Sequence, residues 1–546
     1  MRTTLLLGGL AALLSLPVQA ADYPSGYTKC VQNTGATCTM SGTRSVALGK
    51  SGSFVYATKT GNFVCSSANF PSNTYPSSAW CSYSKSTTST SSAAASSAAA
   101  SSNTSSLAAS SAAKSSAATS SLAASSSVAS SAKSSSTAAS SAASSNPYVT
   151  GCGTETSNLT ASKVYYVTPT GTGNGSSFSS PMSFSAALSS VSAGQMILLQ
   201  PGTYKVPYTA GAKNTITLSK SGTASAKIYM VAANCGKAVI DFQFPEKTWV
   251  QDSYGFYVTG SYWYFKGIEI TRAGYQGAYV TGGYNTFENV AFHNNRNSGL
   301  EINKGGHHTM VINSDAYRNY DPKKNGSMAD GFASKQEQGA GNFFYGCRAW
   351  ENSDDGWDTF DSTQPVIIEN SWAFRNGIDV WNYGSFAGNG NGFKLGGNSK
   401  LQRNKITGSV AFGNRVKGFD QNNNVGGVTV INNTSFSNGI NYGFGGALSS
   451  GEKNTFTNNV SLSGKSADSI ANATSTTNTW NSIAVSSADF LSVDTNLATR
   501  TRNPDGTLVY TTLFRLVPGS KLINAGTAAG LPYLGSKPDL GAFERE

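Results

Sequence analysis

After its first twenty or so residues the chain has no apolar run approaching the ~18 residues that span a bilayer, so no membrane partner is expected. Only 12% of its 546 residues are charged, and histidine is nearly absent, with His293, His307 and His308 the only three. So few imidazoles, and no CxxC…HxxxH spacing, argue against zinc. There is no basic helix and no aromatic RNA-binding box. The net charge of +11 would suit nucleic acid or any other polyanion, and without those motifs no nucleic-acid partner is expected. What the chain has in quantity is glycine, 58 residues, with an even scatter of aromatic and β-branched side chains. That composition favours an all-β protein over helical bundles.

Composition divides the chain. Residues 1–21 begin with Arg2, run through an apolar stretch from Leu5 to Leu16 and end in Val18-Gln19-Ala20-Ala21, the pattern of a secretory signal peptide. A secreted, extracellular protein follows from it, and its seven cysteines make disulfides plausible. Cys30, Cys38, Cys65 and Cys81 fall within residues 22–85, a stretch too small for a large core and suited to stapling. Cys152 and Cys235 offer a third bridge, which leaves Cys347 as a buried small hydrophobe. The aromatics Tyr27, Phe54, Tyr56, Phe63, Phe70, Tyr75, Trp80 and Tyr83 of residues 22–85 read mostly as core, although aromatics on a small β scaffold also stack on sugars. Residues 86–146 are almost pure Ser and Ala, a disordered linker with a reach of ~40–45 Å. From residue 147 to Glu546 the composition is globular. Lys163 to Val167 and Gln195 to Gln200 read as strands, and Met182 to Ser190 as a short amphipathic helix that would cap a longer repeat.

The repeat is visible as a small residue, an aromatic, any residue and Asn. It occurs at Ala291-Phe292-His293-Asn294, Ala316-Tyr317-Arg318-Asn319, Ala349-Trp350-Glu351-Asn352, Ala373-Phe374-Arg375-Asn376, Ala411-Phe412-Gly413-Asn414 and Ser435-Phe436-Ser437-Asn438. A second series places a glycine before a short strand, at Gly255, Gly277, Gly299, Gly331, Gly356, Gly392, Gly418 and Gly443, with unstretched spacings of 22, 22, 25, 26 and 25 residues. Short strands and polar turns at that period, without helices, predict a parallel β-helix. The asparagines should stack as a ladder, the aromatics should stack inside, and Pro538 to Glu544 should close the far end.

The glycines set a register that turns distant residues into neighbours. Asp330 and Asp355 each precede a glycine, so they should stack on adjacent coils ~4.8 Å apart. Asp354 adjoins Asp355. Asp358 and Lys394 each lie two past a glycine and should align on successive coils. Four carboxylates and one lysine thus converge, where an acidic surface turn with a salt-bridged lysine is the plain alternative. Oxygen ligands of this number and charge suit calcium. A hard cation beside a lysine suggests β-elimination from a polyuronate, with Lys394 taking the C5 proton. A neighbouring dication favours the neutral amine, Asp358 and Asp420 oppose it, and the balance implies activity at alkaline pH.

Three segments carry a resemblance: Ala329-Asp330-Gly331-Phe332, Ser353-Asp354-Asp355-Gly356-Trp357-Asp358 and Gly392-Phe393-Lys394-Leu395-Gly396-Gly397. With most of the chain from Tyr165 onward, they resemble the pectate lyases of polysaccharide lyase family 9. The resemblance implies a right-handed parallel β-helix, calcium held by Asp330, Asp354, Asp355 and Asp358, Lys394 as Brønsted base, and polygalacturonate or pectate as substrate for a monomeric enzyme. Residues 22–85 likewise resemble a small accessory module of secreted carbohydrate-active enzymes. Two other readings stay open on the residues alone. One is a glycoside hydrolase on the same solenoid, the other a non-catalytic polysaccharide-binding solenoid.

Overall fold

A computed structural model describes residues 27–32, 35–50, 53–66, 78–84, 159–233, 237–481 and 483–545. The signal-like stretch, the Ser/Ala tract and the Cys152–Cys235 pair lie outside them. Contacts divide the chain into two units, Met1–Tyr148 and Val149–Glu546.

The first unit is a four-stranded antiparallel sheet in the order Tyr27–Gln32, Trp80–Ser84, Thr43–Lys50, Ser53–Thr60, beside a two-stranded ladder of Thr37–Cys38 and Phe63–Val64. Disulfides join Cys30 to Cys38 and Cys65 to Cys81. Three of these cysteines pack with Val46, Leu48 and Phe63, so the staples are part of a core too small to stand alone. Trp80 is half-buried, and Lys29 Nζ stands 3.6 Å from the centroid of its ring.

The second unit is a solenoid of three parallel sheets with 10, 12 and 10 strands. Beyond Lys163–Val167, which pairs with the next strand, Gln195–Leu199, strands pair with those three further along, so three short strands make one coil. Alternation sends Phe256 and Val258 inward and Tyr257 outward, and Ala278 and Val280 pack inside on either side of Tyr279. The helix Phe184–Ser190, capped by Ser183 Oγ on Ala186 N at 3.2 Å, lays Phe184, Ala187 and Leu188 on the first coil.

The asparagine ladder runs through Asn295, Asn319, Asn352, Asn376, Asn414 and Asn438, each Nδ2 donating to the next Oδ1 at 2.8 to 3.1 Å. The first rung is Asn295 and not Asn294. Strand pairing sets Phe292 opposite Ala316, which places Asn294 (φ 55°) in the left-handed bend that Arg318 and Arg375 occupy in later coils (both 53°). The ladder also explains the glycine series. A Cβ on Gly331 would come within 2.8 Å of Asn352 Nδ2, and one on Gly356 within 2.9 Å of Asn376 Nδ2 and 2.5 Å of Gly392 O. No side chain fits there.

Two aromatic stacks run along the solenoid, where a single internal one was expected. Phe332, Trp357, Phe393 and Phe419, each following its glycine, stack inside with Tyr442 at 4.7 to 5.1 Å; Tyr442 precedes Gly443, which pairs with Asp420 and so falls out of the glycine register. The aromatics of the Asn motif, with His293 ahead of them, stack outside: His293, Tyr317, Trp350, Phe374 and Phe412 lie 4.4 to 5.6 Å apart and within 12° of parallel. The residue before each, Ala316, Ala349, Ala373 or Ala411, takes the inward place. Leu513, Phe514 and Leu540 of the C-terminal segment cover the far end of this outer stack. Pro538 to Glu544 therefore lies along the flank, where Asn432 Nδ2 donates to Asp539 O and Gly541 O and Ala542 N to Thr434 Oγ1. At the end itself Trp480 packs on Tyr442 and Phe456.

Candidate active site

The glycine-bearing sheet carries one outward row, paired rung by rung: Tyr257, Tyr279, Glu301, Ala333, Asp358, Lys394, Asp420. Asp358 and Lys394 are thus direct partners on successive coils. A second line stands one position before the glycines, where Gly331 N donates to Asp355 O and Gly356 N to Asn391 O, both at 2.9 Å. That line brings Asp330, Asp355 and Asn391 together, with Asp354 beside Asp355.

The carboxylates are buried and individually held. Asp330 accepts from Ser298 Oγ at 3.1 Å and Asp354 from Asn389 N at 2.7 Å. Asp355 Oδ1 accepts from both Asn391 N, at 2.7 Å, and Asn391 Nδ2, at 2.9 Å. Lys394 Nζ lies 3.1 Å from Asp355 Oδ2 and 3.4 Å from Asp358 Oδ1. Asp355 Oδ2 nevertheless accepts no well-directed hydrogen bond. Oxygens of Asp330, Asp354 and Asp355 all fall within 4.8 Å of one another, an arrangement able to hold a metal ion. Asp358 stands outside that trio, held by the two lysines of the site.

The second lysine is Lys335, whose Nζ lies 2.9 Å from Asp330 Oδ2 and 3.1 Å from Asp358 Oδ2. Four carboxylates against two ammonium groups leave a formal charge of −2 in a buried patch, the charge one dication would cancel. Burial pushes the Asp330 carboxyl up to about 7, against the pull of Lys335. Burial raises Asp354 too, reinforced by Asp355 and Asp330, and it raises Asp355 in spite of Lys394. Burial works against ionised Asp358 as well, yet Lys394 and Lys335 together hold it below the usual carboxylate range. Burial opposes the charge on Lys394, but Asp358, Asp355, Asp330 and Asp354 outweigh it and hold the proton on the amine. Asp420 is not among its partners, because Lys417 Nζ takes that carboxylate at 2.8 Å.

Asp354, Asp358, Lys335 and Lys394 of the patch line the floor of a cleft of about 610 Å³, reaching from Met328 to Arg415 and Val416 across successive coils, with Phe386 and Gly388 on its wall. Among the polar residues on the neighbouring coils, Asn391 holds Asp355. Arg415 lines the cleft and donates to Gly388 O at 2.8 Å. Arg403 pairs with Glu452 and Tyr383 with Glu246, both outside the cleft lining. Sequence reasoning missed Lys335 and the Asn389 amide. Lys335 follows the strand Phe332–Ser334 and folds back, and Asn389 belongs to a long excursion. Neither position has a counterpart in the repeat.

Comparison with known proteins agrees with this architecture. A family model described as Pel9A-like, right handed beta helix region, matches residues 165–486. Pectate lyase L of Dickeya dadantii (strain 3937) is 66% identical over 394 residues, 71% of this chain and 92% of its own length. Pectate lyase PEL9 of Emericella nidulans is 31% identical over 386 residues, 63% of this chain and 90% of its own. The crystal structure of pectate lyase Pel9A superposes with a TM-score of 0.70 at 65% identity, covering 72% of this chain and 98% of that one. A rhamnogalacturonan lyase does so with a TM-score of 0.58 at 27% identity, over 66% and 98%. The chain therefore belongs to the Pel9A-like family of right-handed parallel β-helix polysaccharide lyases.

Proposed function

We propose that this protein is a secreted, calcium-dependent pectate lyase that cleaves α-1,4-galacturonan by β-elimination. The observation that carries the reading is the contact of Lys394 Nζ with Asp355 and Asp358, on a cleft floor that Asp354 also lines, with the Asp330 carboxylate buried beside it. The donor set fits calcium. All its atoms are carboxylate oxygens, and ligands on one calcium ion, each 2.3–2.6 Å from it, stand no more than about 5 Å apart, which the 4.8 Å spread of Asp330, Asp354 and Asp355 satisfies. Asp358 would complete the set. Bound there, calcium would neutralise the aspartates and a substrate carboxylate, making the C5 hydrogen more acidic and the lysine easier to deprotonate.

As a free amine, Lys394 Nζ takes the C5 proton of the uronate. The electron pair of that C–H bond becomes the C4–C5 double bond, the C4–O bond to the departing chain breaks, and water protonates the departing oxygen. Lys335 remains charged between Asp330 and Asp358 as a fixed counter-ion. Arg415 offers a cation to a neighbouring uronate. Residues 1–21 act as the export signal, and residues 86–146 tether the small disulfide-held unit to the lyase.

The test is ultraviolet absorbance on polygalacturonate. Unsaturated product should accumulate with calcium and stop with chelator. Saturated ends formed without calcium would indicate the hydrolase, and no cleavage at all the binding solenoid.

A further inference from the structure

The cleft runs along the coil axis, and the outward row that supplies Asp358 and Lys394 continues past it towards the N-terminal coils. There the row passes Ala333 and Glu301 and arrives at Tyr279 and Tyr257. Tyr254 joins them, stacked on Tyr279 at 4.6 Å and tilted against Tyr257 at 5.2 Å. We propose that Tyr254 and Tyr257, backed by the buried Tyr279, form a distal subsite for galacturonan, on which a uronate ring rests about five residues from the bond that breaks. The inference builds on the lyase reading above.

Three observations support it. The first is register. Tyr279 is four rungs and Tyr257 five rungs from Lys394, and with about 4.8 Å per rung, close to the length of one α-1,4-linked uronate, the distance in sugars follows directly.

The second is that Tyr279 is buried behind the pair, whereas the fold does not need the rings of Tyr254 and Tyr257. The core is filled by Phe256, Val258, Ala278 and Val280, while Tyr254 and Tyr257 keep half-exposed faces on the outside. The C–H face of a galacto-configured ring stacks on such a surface, which combines a large apolar body with a polar rim.

The third is charge. Burial, with Asp252 beside Tyr254 and Glu301 beside Tyr279, holds both phenols above their ordinary range. Those two phenols therefore stay neutral beside a polyanion at alkaline pH. Asp252 is paired with Lys213 at 3.2 Å, and Glu301 accepts from Gln276 at 2.8 Å and Asn303 at 2.9 Å, so neither faces the polymer as a bare charge.

The experiment compares polygalacturonate with trigalacturonate, which is too short to reach from Lys394 to the tyrosines. In Tyr257→Ala the ratio of kcat/KM for polymer to that for trimer should fall about fivefold, through KM, as expected for loss of one stacking contact. Tyr257→Trp, which keeps a ring, should restore the ratio. On a Lys394→Ala background, Tyr257→Ala should also weaken retardation of the protein in polygalacturonate gels. An unchanged ratio with unchanged retardation would overturn the subsite, as would an equal loss on both substrates. If the wild-type protein released no unsaturated product from galacturonan, the lyase reading would fall first, and retardation would still report on the subsite.

Discussion

Two outward rows run along this solenoid on different faces, built from the same coils. One reads His293, Tyr317, Trp350, Phe374, Phe412, ring upon ring, and its far end is covered by the C-terminal segment. The other reads Tyr257, Tyr279, Glu301, Ala333, Asp358, Lys394, Asp420, and opens onto the cleft at Asp358 and Lys394. Backbone geometry is the same in both, so the contrast lies in the side chains. Where identity repeats, neighbouring coils stack and the row holds the fold. Where it changes at almost every rung, each coil contributes a different group, and chemistry becomes possible.

The largest effect should come from the open row. Lys394→Ala should lower kcat by about a thousandfold or more, the scale of a lost general base, while the calcium-induced rise in thermal midpoint persists. Asp355→Ala should lose both turnover and that rise. Equal loss of calcium response in the two variants would erase the distinction between base and ligand.

The aromatic row should answer in stability alone. Phe374 is fully buried, between Trp350 at 5.6 Å and Phe412 at 4.8 Å, so Phe374→Ala should cost about 3 kcal/mol by denaturant titration. KM and the calcium response should not move. A change in KM would mean that the two faces are coupled.

The smallest effect is a pH slope that belongs to the open row. In the metal-free protein burial lifts Asp330 from 3.8 to about 7, so the folded state binds a proton more tightly than the unfolded chain. That contribution is complete at low pH and is lost as the pH rises through about 4 to about 7. Thermal midpoints in chelator should therefore fall across that window, and Asp330→Asn should flatten the fall. Asp358, held low by the lysines, has the opposite sign, but its contribution is lost only as the pH falls below about 4, so a midpoint that does not fall between about 4 and about 7 would count against a raised Asp330.

The glycine register was enough to bring Asp330, Asp354, Asp355, Asp358 and Lys394 to one patch, because parallel strands stack residue on residue. It was not enough to say which side of the wall an aromatic lies on. Ala-Tyr and Phe-His fit the same motif in opposite phase, and a one-residue slip exchanges inside for outside. That slip set Asn294 where Asn295 belongs. Lys335 was illegible for a different reason: it lies just past the end of a strand, where periodicity stops and a long flexible side chain decides what it touches. Lys417 took Asp420 away from Lys394 by the same freedom.

The asparagine ladder has one further consequence. Its rungs are separated by 24, 33, 24, 38 and 24 residues along the chain, yet they meet at nearly equal hydrogen-bond lengths. The amide contact thus acts as a clamp indifferent to how much chain is looped out between rungs. The two extended spacings are those that contain Asp330 and Lys394, with Gly388 and Asn389 in the longer one. Loops of this kind can lengthen, shorten or be exchanged while the pitch of neighbouring coils stays fixed, which leaves the wall of the cleft free to be remodelled for other polymers on an unaltered frame.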